Sequence, residues 1–488
     1  PTDLNGGNMI VSGDVTNTDV LIIYAGSYLQ LSESSKTFTN SDRIYAYGGE
    51  DSFSRIIVAG TISDSGGTNN NYQRWINGTG DASTSTGWDL IGVPTSNTSI
   101  STTYSLNSDI AETGSGDDEL VAIGFYDPTD NDWETYGGSN TDNVLATAGN
   151  FTVAKGYQMA TDIPLNGTGA AIEFGGNLNS GDINATIQNY DLDDDSDMSD
   201  GSRFNLIANP YLSFLYANDN TDGTNNLISV NSSVLHANGQ CFYIWDGDSY
   251  VTVNHNTTSS YQYVAPFQGF MVMAKTTGSN TNFSFTRAMQ TTSGSEDGIA
   301  DGIMDPEDNA ELFIGISQNG KNRKTEIYFN DNGTDGLDPG YDAQAFPNAY
   351  PSISTRLIQT IESTDGVNFS IQGLSYDEMW DKVTPLVVNA EAGSEVVLDI
   401  NHNTAPFELN IYLEDAVEGT FTNLKETNFV ITPSENLEGA GRFYIHTTED
   451  TLSNEEVNTS ILNAYKGVDN NYITIEGLAT QATSTEVS

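Results

Sequence analysis

Residues Gly87-Trp88-Asp89-Leu90-Ile91-Gly92-Val93-Pro94 read as a strand that opens on an aromatic, turns apolar and stops at a proline. The same pattern returns at Phe204-Asn205-Leu206-Ile207-Ala208-Asn209-Pro210. Fully apolar runs are what a core strand needs, and a proline ends one because it has no N–H for the ladder. Two more elements follow each copy in the same order. Gly124-Phe125-Tyr126-Asp127 with Trp133 matches Phe242-Tyr243-Ile244-Trp245-Asp246, and Val153-Ala154-Lys155-Gly156-Tyr157-Gln158-Met159 matches Pro266-Phe267-Gln268-Gly269-Phe270-Met271-Val272. Three matched elements in one order predict a tandem duplication of a β-sandwich, with copies at 71–182 and 183–292. Gly156 and Gly269, each before an aromatic, predict a bulge or a close backbone approach.

Working outward, the rest of the chain keeps the strand-and-turn pattern. Apolar runs of four to six residues, rich in Val, Ile, Thr and Tyr, end at Gly, Asn and Asp, and no convincing amphipathic helix interrupts them. Residues 1–70 hold short runs such as Val20-Leu21-Ile22-Ile23 and Arg55-Ile56-Ile57-Val58. These fit either stacked solenoid rungs or a small sheet. Residues 309–455 carry Leu312–Ile316, Thr325–Phe329, Glu395–Ile400, Leu409–Leu413 and Gly441–Ile445, enough for a third sandwich. The segment 293–308 reads as an acidic linker, and 456–488 as the start of another β domain. The expected fold is therefore all-β: tandem sandwiches of jelly-roll or Ig-like type behind a short-strand, β-solenoid-like segment.

Charge narrows the function. In 488 residues, 67 Asp and Glu face 16 Lys and Arg, a net charge of −51. Such a chain repels nucleic acid and anionic membrane, so neither is an expected partner. Aromatics at 10% argue against wholesale disorder. No apolar run is long enough to cross a membrane as a helix. The beginning, Pro1-Thr2-Asp3, is not a signal peptide and reads as the inside of a longer product or a processed end. The single cysteine, Cys241, reads as a buried, inert thiol.

Catalysis finds little in the sequence. His236, His255, His402 and His446 are scattered, and there is no His-x-x-x-His zinc pattern, no Gly-x-Ser-x-Gly elbow and no phosphate loop. The expectation is that the chain is not an enzyme. Calcium has the better case, because it takes six to eight oxygens and closely spaced Asp with Gly turns can wrap one ion. The run Glu296–Asp308 offers Asp297, Asp301, Asp305 and Asp308, with Asp-Gly-Ile repeated four residues apart. The run Asp191–Gly201 offers Asp193, Asp195 and Asp197, and reads equally as a solvated acidic loop. A third acidic turn, Asp331–Asp342, is dominated by Asn-Gly, Asp-Gly and Pro-Gly turn formers. Tyr126, Trp133, Tyr136, Trp245 and Tyr250 near these turns are candidate sugar-binding aromatics.

Several segments together resemble the C-terminal part of large surface proteins secreted by the type IX system of Bacteroidetes. They are Tyr72-Gln73-Arg74-Trp75-Ile76, Gly87–Ile91, Gly156–Met159, Asn205–Tyr211, Phe242–Gly247, Pro266–Phe270 and Arg287-Ala288-Met289-Gln290. Leu337–Asp342 and Gly441–His446 look like the family's next module, and Asn470–Leu478 like the beginning of its sorting domain. The resemblance implies export by the type IX machinery and an extracellular or outer-membrane-attached location. The chain departs from the pattern by stopping partway through the sorting domain, and Glu296–Asp308 looks like an insertion. The expected function is a cell-surface adhesive or structural protein with calcium-stiffened sandwiches. Its expected partners are other surface proteins, copies of itself, or glycans. A subunit of an extracellular filament or surface layer, and a carbohydrate-binding segment of a secreted enzyme, are the rival readings.

Overall fold

Short alternating runs with Gly and Asn corners build the N-terminal segment as a three-sided parallel β-solenoid. In the computed structural model, residues 2–50, 52–65, 69–79, 87–162, 169–191, 201–257, 263–294, 309–346 and 350–452 are described, with the backbone of 463–466 and 473–476. Two compact units divide the chain, Pro1–Met304 and Asp305–Ser488.

The first unit opens with the solenoid. Its three sides stack Thr2–Leu4, Val20–Ile23 and Arg43–Ala46; Asn8–Val11, Tyr28–Leu31 and Arg55–Val58; and Val15–Asn17, Thr37–Asn40 and Thr61–Asp64. Every neighbour within a side is parallel and in register, so like residues line up. Leu4, Ile23, Ala46 and Tyr72 form one inward ladder, all buried. At one corner a polar ladder replaces it. Asn17 Nδ2 donates to Asn40 Oδ1 at 2.7 Å, and Asn40 Nδ2 donates to Asp64 Oδ1 at 2.7 Å. Stacked amides satisfy one another rung by rung, which lets a buried corner be polar without an unpaired donor.

The boundary expected at 70/71 falls inside a sheet. Asn71–Asn77 pairs in parallel with Arg43–Ala46, then antiparallel with Gly169–Phe174. Two strands of the first repeat thus cover what would be an open solenoid edge.

The duplication is visible in topology and register. The first copy orders its strands Asp89–Ile91, Tyr157–Met159, Leu120–Asp127, Asp132–Gly137; the second orders them Phe204–Ala208, Gly269–Met273, Phe242–Trp245, Tyr250–Val253. Leu90 faces Gln158 as Leu206 faces Met271, and Ile123 faces Met159 as Phe242 faces Val272. Each copy also carries a short helix, Ile100–Leu106 or Leu227–Asn231, begun by a side-chain cap from Ser99 or Asn226. At seven and five residues they are too short for a periodic pattern.

The copies grip each other reciprocally. The amide of Gly92 donates to Phe267 O at 2.7 Å, and its counterpart Ala208 donates to Ala154 O at 3.0 Å. Ile91 bridges Gln268 as Ile207 bridges Lys155. Equivalent residues meet equivalent residues, which is the signature of a two-fold, isologous contact within one chain. The close approach expected at the glycines is present: a Cβ on Gly156 would lie 2.4 Å from Leu206 Cγ, and one on Gly269 2.8 Å from the Leu90 carbonyl carbon. Cys241 is buried, and burial pushes its thiol up to about 12.

The second unit is a sandwich made from one curled path of ten strands. Their order is Thr420–Asn423, Asn410–Asp415, Ala440–Thr448, Asp381–Asn389, Ser352–Thr355, Phe369–Ser375, Lys321–Asn330, Ala310–Gln318, Val396–Asn403 and Phe429–Ile431. The two ends of the path, Thr420–Asn423 and Phe429–Ile431, are successive in sequence, so the sheet folds back on itself. Phe429 meets Phe443 edge-on at 5.6 Å across the core, and Leu312, Ile327, Leu386, Leu398 and Leu413 are buried there. Asn463–Lys466 and Ile473–Glu476 pair as an antiparallel hairpin.

Candidate functional surface

The acids proposed for calcium, Asp193, Asp195, Asp197, Asp297, Asp301, Asp305 and Asp308, lie outside the described residues. The necks of both acidic runs are described. Asp191 is fully buried and accepts from Arg203 Nε at 3.0 Å, with Arg203 Nη2 on the same oxygen. Tyr190 N donates to Ser202 O at 3.0 Å. The described ends of the first run, Asp191 and Ser202-Arg203, are thus bonded together and buried. Before the second run, Arg55 Nη1 donates to Thr292 O at 2.6 Å, and its Nη2 to Gly26 O at 2.7 Å, which pins the end of the second repeat to the solenoid. Among the described residues, no three His, Cys, Asp or Glu side chains converge as metal ligands.

The third acidic turn braces itself. Asp338 Oδ2 accepts from Thr334 N at 2.6 Å, and Asp342 accepts from Asp338 N at 2.6 Å and from Gly373 N at 2.7 Å. Burial pushes the Asp342 carboxyl up to about 8. Lys382 Nζ spans Asp335 and Glu378, each at 2.5 Å.

The histidines stay apart in separate partnerships: His255 with Asp219 at 2.8 Å, His402 with Glu311 at 2.9 Å, and His446 with Glu414 at 2.7 Å. His236 Nδ1 accepts from Asn238 N.

The aromatics proposed for sugar pack on one another. Tyr126 and Trp133 face across their hairpin with ring centres 5.5 Å apart, and Trp245 and Tyr250 repeat that pair at 5.2 Å. Tyr136 leans on Phe125 at 5.6 Å. The pairs Tyr126–Trp133 and Trp245–Tyr250 sit directly opposite each other across their hairpins and so act as cross-strand staples of the two copies.

Two features escaped the sequence. One is where the cations go. Arg55, Arg74, Arg203 and Lys382 are buried. Arg442 holds buried Asp415 with two bonds, 3.0 and 2.7 Å, and Lys155 sits 4.3 Å over Phe125. Other cations, Arg43, Lys275, Arg287, Lys321 and Lys324, are exposed, and Asp191, Glu311, Glu326, Asp342 and Asp415 are buried as well.

The other is a tyrosine face on the solenoid. Ile23, Ala46 and Tyr72 point inward, so Tyr24, Tyr47 and Gln73 point outward. The ladder bonds Tyr24 N to Leu4 O and Tyr47 N to Ile23 O bring these residues into one row. Tyr24 and Tyr47 stand 5.3 Å apart, Tyr45 stacks on Tyr47 at 6.5 Å and 13°, and Gln73 Nε2 donates to Glu173 Oε1 at 3.2 Å. Trp75, two residues along, shares this outward side and is half-buried. Partial burial, with Tyr24, Tyr45, Glu173 and Asp3 close by, raises the Tyr47 hydroxyl above its ordinary value.

These features define an all-β protein with a polyanionic exterior, built from a solenoid joined to a self-paired repeat and from a separate sandwich. The model of a family described as a domain of unknown function, DUF8693, matches residues 122–446, more than half of the chain, and the chain belongs to that family. No curated protein and no solved structure matches it.

Proposed function

We propose that this chain is a secreted cell-surface protein of adhesive or structural type, acting by binding and not by catalysis, with calcium gathered by its acidic runs. The observation that carries this reading is the large excess of carboxylates over cations. Sixteen cations stand against 67 Asp and Glu in a chain of net charge −51, and four of the cations, Arg55, Arg74, Arg203 and Lys382, are buried. The exterior therefore repels polyanions and attracts divalent cations. Arginine clamps also favour a load-bearing role. Arg55 of the solenoid donates to Thr292 O of the second repeat, Arg287 of the second repeat donates to the solenoid carbonyls of Ala59 and Gly60, and Ile56 N donates to Leu212 O at 2.7 Å. Solenoid and repeats thus resist being pulled apart as separate beads. Labelling intact and lysed source cells with an antibody to residues 1–294 tests the location. Equal labelling of both, with loss of cell adhesion on gene deletion, supports the reading; signal only after lysis refutes it.

A further inference from the structure

We propose that the tyrosine face of the solenoid is a docking surface for an uncharged polysaccharide chain. This deepens the adhesive reading and rests on it. The occupant follows from what the face offers. Tyr24, Tyr45 and Tyr47 present rings and hydroxyls side by side on a sheet whose strands are about 4.8 Å apart. Gln73 and Glu173 add a bonded amide and carboxylate in the same row, and the half-buried Trp75 lies one step along. Ring faces suit the C–H face of a sugar, while phenol, amide and carboxylate groups suit its hydroxyls; the combination matches how sites pair apolar walls with a few placed polar groups.

Charge selects among polymers. A polyanion is repelled by the net charge of −51. A polycation would be drawn to carboxylates over the whole exterior and would have no need of the rings. An uncharged polyhydroxyl chain meets no such field and uses every group in the row. Because the row runs across successive rungs, it fits an extended chain better than a single sugar.

The test is co-sedimentation of the whole chain with cellulose, chitin and mannan, with alginate as the anionic control and lysozyme as a basic protein. The expected result is binding to at least one uncharged polymer, weakened about tenfold by Tyr24→Ala with Tyr47→Ala, and no binding to alginate. Tyr45→Ser, on the same outward side, gives a second variant if the double variant melts early. The binding is expected to survive a calcium chelator, so its loss or survival is separate from the calcium response. No binding to any uncharged polymer, equal binding by the variants, or capture of lysozyme alone overturns the proposal.

Discussion

Ala154 and Phe267 stand at the same point of the two repeats and share a left-handed backbone, φ 62° and 64°. Neither is glycine, and for a residue as bulky as phenylalanine this conformation is costly. Each presents its carbonyl to the other copy, to Ala208 N and Gly92 N. The strained elbow is thus the part that makes the reciprocal contact, which explains why it is kept twice.

That contact leaves no space for larger side chains. Gly269→Ala puts a methyl 2.8 Å from Leu90 C and 2.9 Å from Ile91 N, both backbone atoms unable to yield. The expected cost is about 1–3 kcal/mol, read as a lower denaturation midpoint of the first unit. Gly223→Ala, with nothing within 4 Å of the new methyl, is the matching control and is expected to change little.

Removing either side of the Asp191–Arg203 pair strands a buried charge. Arg203→Ala or Asp191→Ala is expected to lose about 3–5 kcal/mol in urea unfolding. Replacing both at once with Leu and Met recovers most of it, because the penalty comes from the unpaired partner.

Asp342 gives the second unit a pH dependence of known sign. Its folded value is raised to about 8, against about 3.9 unfolded. Between those values the folded state holds a proton that the unfolded state has released. Its contribution is therefore full below about pH 4 and is lost as pH rises toward 8. Melting of wild type against Asp342→Asn from pH 5 to 8 is expected to show a steeper decline in wild type. Parallel curves would exclude it.

Surface self-repulsion predicts that salt stabilises the whole chain. Raising sodium chloride from about 0.05 to 0.5 M shortens the Debye length severalfold, so both melting transitions are expected to rise. A fall would mean that attractive pairs dominate.

The duplicated hairpins were legible because their cues are local: Leu90-Ile91 then Pro94, Leu206-Ile207 then Pro210, and a glycine before an aromatic. The long strands of the second unit declared themselves by apolar runs such as Leu312–Ile316. Asp381–Asn389 was harder to see, since Lys382, Thr384 and Pro385 break the pattern of a strand that the core nonetheless holds. The tyrosine face was hidden for a different reason. Tyr24, Tyr47 and Gln73 become neighbours only through parallel pairing of rungs of unequal length. Likewise Asp191 reads as one more acid in an acidic run, and only the fold shows that it turns inward to Arg203.

The central claim, a calcium-dependent surface protein, is tested most directly by thermal unfolding of the chain with chelator and with excess calcium. The account predicts a clear rise in melting temperature with calcium, since a ligand of the folded state stabilises it by mass action, and loss of that rise in Asp301→Asn with Asp305→Asn. Identical melting with and without calcium would contradict it and leave the acidic runs as solvated loops.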